Sequence, residues 1–212
     1  MMMRMSWTAL ALAMAASLPA AAQTSPSPAL LACTGPFAKD GSEAALIAAF
    51  GKANVKRAEI DVAEGATEKG NVIFGDDEKR RIEVLWHDAA KRRRPSSIIV
   101  RDPSNWRVAV HGQPGTSLGI GSDLAAVEAA NGKAFQLYGF EWDMGGYAAG
   151  WKGGRLDKPE GGCSLSLRFG PDEKAKEAAL TKVAGDRLFA SSAPAMRAVK
   201  PRVGQISLGW PE

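Results

Sequence analysis

Apolar positions recur at helical spacing in two short segments of the chain. SEAALIAAFGKANV, from Ser42, sets Leu46, Ile47 and Phe50 on one face, and SDLAAVEAANGKAF, from Ser122, does so with Leu124, Val127 and Ala130. Each opens on Ser followed by an acid, suited to an N-cap and first turn, and Asp40 with Glu43 offers the first helix an alternative capping box. Each closes at Gly-Lys, where Gly51 and Gly132 accept the left-handed conformation that ends a helix. Helices of about nine residues are marginal alone, so packing must hold them.

Strand patterns follow each helix. The first half predicts strands at Val55–Val62, Asn71–Phe74, Arg81–Trp86 and Ser97–Arg101, with Ile82, Val84 and Trp86 alternating onto one side. The second half predicts Phe135–Phe140, Tyr147–Trp151, Ser164–Phe169 and Val203–Trp210, with a third helix over 172–194 ended by Gly185. The two Ser residues stand 80 apart, which suits an internal duplication. The fold class that follows is α+β: two αβββ-like units, about 42–121 and 122–212, forming one curved antiparallel sheet with helices on one face.

The N-terminus changes the picture by adding a compartment. MMMRMSW carries Arg4, then TALALAMAASLPAAA supplies an apolar run with small residues at its end. This is the pattern of a signal peptide over 1–22, cleaved after Ala22, and the run is too short to span a bilayer. A single α+β domain over 23–212, periplasmic or secreted and without a transmembrane segment, is expected. Leu30-Leu31-Ala32-Cys33 offers a competing lipobox, although QTSPSP separates it from the apolar run. Otherwise Cys33 and Cys163, the two cysteines, read as one disulfide in an oxidising compartment. Losing Arg4 leaves 26 basic and 23 acidic residues, a balance too mild for a nucleic-acid binder.

One stretch, NGKAFQLYGFEWDMGGYAAGWKGGRL from Asn131, combines a helix end, an aromatic strand, Trp-Asp and repeated Gly-Gly. With LIAAFGKANV and VIFGDDEKRRIEVLW it resembles an uncharacterised family of secreted bacterial proteins, covering most of 42–156. That resemblance implies export and no assigned activity. More distantly, tandem helix-then-sheet units resemble the beta-lactamase inhibitory protein and small envelope-assembly lipoproteins, which implies protein binding.

Several residues carry candidate chemistry. Glu141 and Asp143 flank Trp142, so in a regular strand they share one face, the arrangement a glycoside hydrolase needs of its acid and base; the alternatives are a solvent-side pair with Trp142 in the core, or Asp143 capping the turn at Met144-Gly145-Gly146. Trp151 has glycine-rich neighbours and so little local cover, which makes it, with Tyr147 on its face, an exposed anchor for a protein or glycan partner. Lys91-Arg92-Arg93-Arg94 reads as a solvated loop, or as a basic patch that draws anionic envelope surfaces through Arg92 and Arg93. His87 and His111 lack the spacing of a metal site, and no motif calls for a cofactor. The expectation is therefore an exported, non-enzymatic module binding an envelope protein or glycan. Its rivals are a glycan hydrolase acting through Glu141 and Asp143, and a purely structural envelope protein.

Overall fold

The computed structural model describes residues 29–62, 65–159 and 161–212; the expected signal peptide lies outside them. Among the described residues, strands β1 (Leu30–Leu31), β2 (Val55–Asp61), β3 (Thr67–Ile73), β4 (Ile82–Asp88), β5 (Arg93–Arg101), β6 (Arg107–Ala109), β7 (Ser117–Gly119), β8 (Gln136–Tyr138), β9 (Ser164–Gly170), β10 (Leu188–Ala190) and β11 (Arg202–Gly209) accompany four α-helices. These are α1 (Glu43–Phe50), α2 (Leu124–Asn131), α3 (Glu177–Leu180) and α4 (Pro194–Ala198). The fold is α+β, dominated by a six-stranded antiparallel sheet in the order β2-β3-β4-β5-β11-β9.

Strand alternation gives that sheet two different faces. Ile82, Val84 and Trp86 of β4, Ile98 and Val100 of β5, and Val203, Ile206 and Leu208 of β11 enter the main core, together with Leu46 of α1, Val127 of α2 and Met196 of α4. The residues between them, Glu83, Leu85, Ile99, Arg101 and Gln205, therefore stand on the opposite face. There a smaller cluster forms from Ile60, Val72, Leu85 and Ile99.

Both expected short helices form. Ser42 caps α1 by accepting from Ala45 N–H at 3.3 Å, whereas α2 is capped by Asp123 at 2.8 Å, one residue later than expected. Ser122 accepts instead from Gly119 N–H at 3.1 Å. The strands after α1 follow the expected order, but those after α2 do not make a second equivalent sheet. β8 pairs with β10 in a separate two-stranded sheet, while β9 and β11 join the large one, and β1, β6 and β7 form a third. A tandem repeat is not visible in this strand order.

Two elements differ from expectation for local reasons. Segment 172–194 holds only α3 and a 3-10 turn at Thr181–Val183 before β10. Its backbone is spent on Phe140 instead of a helix: Phe140 N–H donates to Val183 O at 2.9 Å and Gly185 N–H to Phe140 O at 3.0 Å. Residues 147–151 are likewise not a regular strand. Gly146 to Ala149 run between β8 and β9, with Tyr138 N–H donating to Tyr147 O at 2.9 Å and Ala148 N–H to Leu167 O at 2.9 Å. Gly146 has φ +75°, and a Cβ there would collide with the Phe169 carbonyl, so only glycine fits.

Trp151 is 5 % exposed, which corrects the expectation of an exposed anchor. Its glycine neighbours do not cover it, but its ring lies 5.2 Å from that of Phe135, and its Nε1–H donates to Leu165 O at 3.1 Å. Trp142 reverses in the other sense: it is 60 % exposed on a turn. Glu141 there adopts φ +74°, which breaks the alternation on which the shared-face reading of Glu141 and Asp143 relied. Replacing Trp151 by Ala should cost about 3–5 kcal/mol, read as a lower urea midpoint with the slope unchanged.

Candidate functional site

The face of the large sheet away from the main core carries a polar network that draws on five strands. Glu83 of β4 is mostly buried and has both carboxylate oxygens occupied. Arg81 Nε donates to Oε1 at 3.1 Å and Arg101 Nε donates to Oε2 at 3.1 Å. Arg101 also donates through Nη2 to Asp61 O at 3.1 Å and through Nη1 to Gln205 Oε1. Gln205 passes the chain on, its Nε2 donating to Tyr147 Oη at 3.3 Å and to Ser207 Oγ at 3.1 Å. Over Tyr147 lies the Arg168 guanidinium, 5.0 Å from the ring centroid, fixed by a bond from its Nε to Gly145 O at 2.9 Å.

At the Glu83 end this network opens onto a cavity of about 540 Å³. Arg81, Arg101, Ile99 and Pro103 line it with two exposed acids, Glu78 and Asp102. Glu83 acts here as an orienter. One carboxylate held between two guanidiniums sets their planes, and with Arg81 Nη2 also 3.1 Å from Glu83 Oε1 it is Nη1 of Arg81 that is left for a ligand. The cavity thus offers both signs of charge against an apolar floor. Among the described residues, no group of three or more His, Cys, Asp or Glu is arranged to hold a metal ion.

The residues expected from the sequence are distributed over several places. Tyr147 is half-buried and joins the network through its hydroxyl. Trp151 belongs to the main core. Glu141 and Asp143 are exposed on the turn beside Trp142, away from the residues that line the cavity. That turn is closed by Gly145 N–H donating to Trp142 O at 2.6 Å. Cys33 and Cys163 are buried at disulfide distance, with Cα atoms 6.0 Å apart. Leu30 and Leu31 of the alternative lipobox form β1, which pairs in parallel with β6.

The basic segment is clasped to α1. Glu43 N–H donates to Arg92 O at 3.0 Å and Arg94 N–H to Gly41 O at 2.9 Å. Arg92 has φ +50°, and its side chain, 17 % exposed, sets Nε 3.7 Å from Glu43 Oε1. Arg93 stays exposed. Glu43 also takes a two-point contact from Arg57, at 2.9 and 2.7 Å, and a bond from Asn71 Nδ2 at 2.9 Å. The segment is thus the turn and first residues of the β4–β5 hairpin with Lys91, Arg93 and Arg94 exposed, and Arg92 alone departs from the solvated-loop reading, as an ion-pair partner held against α1.

Arg81, Glu83, Arg101 and Gln205 were not singled out from the sequence. The signal available was an acid and an arginine at positions facing away from an apolar stripe. Comparison of the chain with family models, with curated proteins and with solved structures finds no significant match, so the site is read from its geometry.

The Glu43 carboxyl is held at about 2, below its ordinary 4.5, first by the hydrogen bond from Arg57, then by Asn71 and the charges of Arg57 and Arg92, against the opposing effect of burial. Because the folded value lies below the unfolded one, this contribution to stability is complete above pH 4.5 and is lost as pH falls towards 2. Glu43→Gln should therefore be less stable than wild type at pH 7, with the gap closing towards pH 2. Denaturation midpoints across that range check it.

Proposed function

We propose that the protein is an exported, non-enzymatic binding module whose contact surface is the polar sheet face, from the Arg81–Glu83–Arg101 cavity to Tyr147. The observation that carries this reading is the guanidinium pair set in advance by a mostly buried carboxylate at the wall of a cavity. A group oriented before contact loses little entropy on binding, which is how a small polar site gains affinity. With Glu78 and Asp102 on the same wall, the fitting partner is an envelope component that presents a carboxylate beside a cationic group, as peptide termini and amino-acid side chains do. Cysteines at disulfide distance fit an oxidising compartment, in keeping with the expected signal peptide and with periplasmic placement or secretion.

A hydrolytic reading draws less support. General acid catalysis by a carboxyl asks for desolvation and a cleft, and both Glu141 and Asp143 stand exposed on a turn.

Arg81→Ala is the discriminating variant, since it empties one cavity wall while leaving Arg101 paired with Glu83. A photocrosslinker placed at exposed Glu78 should capture a discrete envelope component, and Arg81→Ala should lower that capture about ten-fold, a loss of about 1.4 kcal/mol. Capture unchanged by Arg81→Ala would overturn the assignment of the face. Release of glycan fragments that Asp143→Asn abolishes would replace the binding module with a hydrolase.

A further inference from the structure

The two edges of the large sheet are treated differently. The β9 edge is covered, because Gly146 to Ala148 bond to Leu167 and Phe169. On β2 the pairs facing β3 fall at even positions, as the flanking bonds Phe74 N–H to Asn54 O at 2.9 Å and Val62 N–H to Ala66 O at 3.1 Å show. The N–H and C=O groups of Arg57 and Glu59 therefore point away from the sheet. The Asp61 carbonyl is already taken by Arg101.

We propose that this open edge is a docking strand for a second copy of the chain, paired antiparallel about a two-fold axis at Ala58. An unguarded edge strand recruits another strand, and natural proteins block this with charges that repel a second copy. The charges on β2 do the opposite: Lys56 and Arg57 precede Ala58, while Glu59 and Asp61 follow it. The outward backbone groups restrict the register. Centring on Arg57 brings two arginines face to face, and centring on Glu59 brings two glutamates. Centring on Ala58 sets Arg57 opposite Glu59 of the second copy twice, in hydrogen-bonded pairs on the α1 side of the sheet.

The neighbouring surface agrees. In that register Asp61 of the second copy falls opposite Val55, beside a groove lined by Ile47, Ala53 and Val55, by the cations Lys52, Lys56 and Arg57, and by Glu43, whose charge Arg57 already pairs. On α1 the exposed positions Ala44, Ala48 and Ala49 carry no long side chain that could stand across the edge. The contact is isologous and closed, so it ends at a dimer with a continuous sheet across both copies.

Sedimentation of the mature chain across about 1–500 μM, a range set by the weak affinity expected of small interfaces, tests this. A concentration-dependent monomer–dimer equilibrium is expected. Glu59→Pro removes an outward N–H without touching the β2–β3 ladder and should abolish the dimer while circular dichroism stays unchanged. Glu59→Lys, which sets a cation opposite Arg57 of the second copy, should raise the dissociation constant at least ten-fold, about 1.4 kcal/mol. A monomer at every concentration, or a dimer indifferent to Glu59→Pro, overturns the proposal. Arg81→Ala leaves this equilibrium alone, so failure here and failure of the cavity assignment are separate results.

Discussion

An amide buried inside a sheet core costs free energy unless each of its polar atoms finds a partner, and Asn71 on β3 is fully buried. Its Nδ2 donates to Glu43 Oε1 at 2.9 Å and to Lys56 O at 3.3 Å, and its Oδ1 accepts from Trp86 Nε1 at 2.9 Å. One side chain thereby ties helix α1, edge strand β2 and strand β4 at a common point. The helix is too short to hold its place by propensity, so this amide and the cap at Ser42 fix where its first turn lies. Once Glu43 is placed, Arg57 and Arg92 follow, and with Arg92 the start of β5.

The same sheet then separates dry and polar chemistry by strand alternation alone. Val84 and Trp86 close the main core, and Glu83, one position away, emerges among arginines on the other side. Burying a carboxylate is tolerable only when charge-assisted bonds replace its water. Arg81 and Arg101 supply them, so the polar face is as strongly specified as the core. A cavity that opens at such a point inherits a rigid wall.

What was legible in the sequence was what local periodicity encodes. Ile82, Val84 and Trp86 announced their strand, and Ser42 with Gly51 announced α1. What failed depended on distant neighbours. Trp151 looked bare because its sequence neighbours are glycines, yet Phe135 and Leu165 cover it, while the alternative that put Trp142 in the core rested on an alternation that Glu141 breaks with a left-handed backbone. The 172–194 helix failed because Phe140 claims the backbone of Val183 and Gly185. The polar face was hidden for the same reason: Arg101 and Gln205 meet across 104 residues, a pairing that no spacing motif announces.

Arg57 connects the interior to the open edge. Its side chain is 65 % exposed, yet two of its nitrogens are held by Glu43, so its rotamer freedom is already lost in the isolated chain. A flexible surface arginine gives up much of an ion pair's worth in ordering itself, which is why exposed pairs contribute little. Here that ordering is done by an intramolecular partner, which is itself fixed through Asn71 to the core, and Nη1 remains for a carboxylate outside the sheet. The open edge is thus rigid where its charge matters, and that rigidity traces back to a single buried amide.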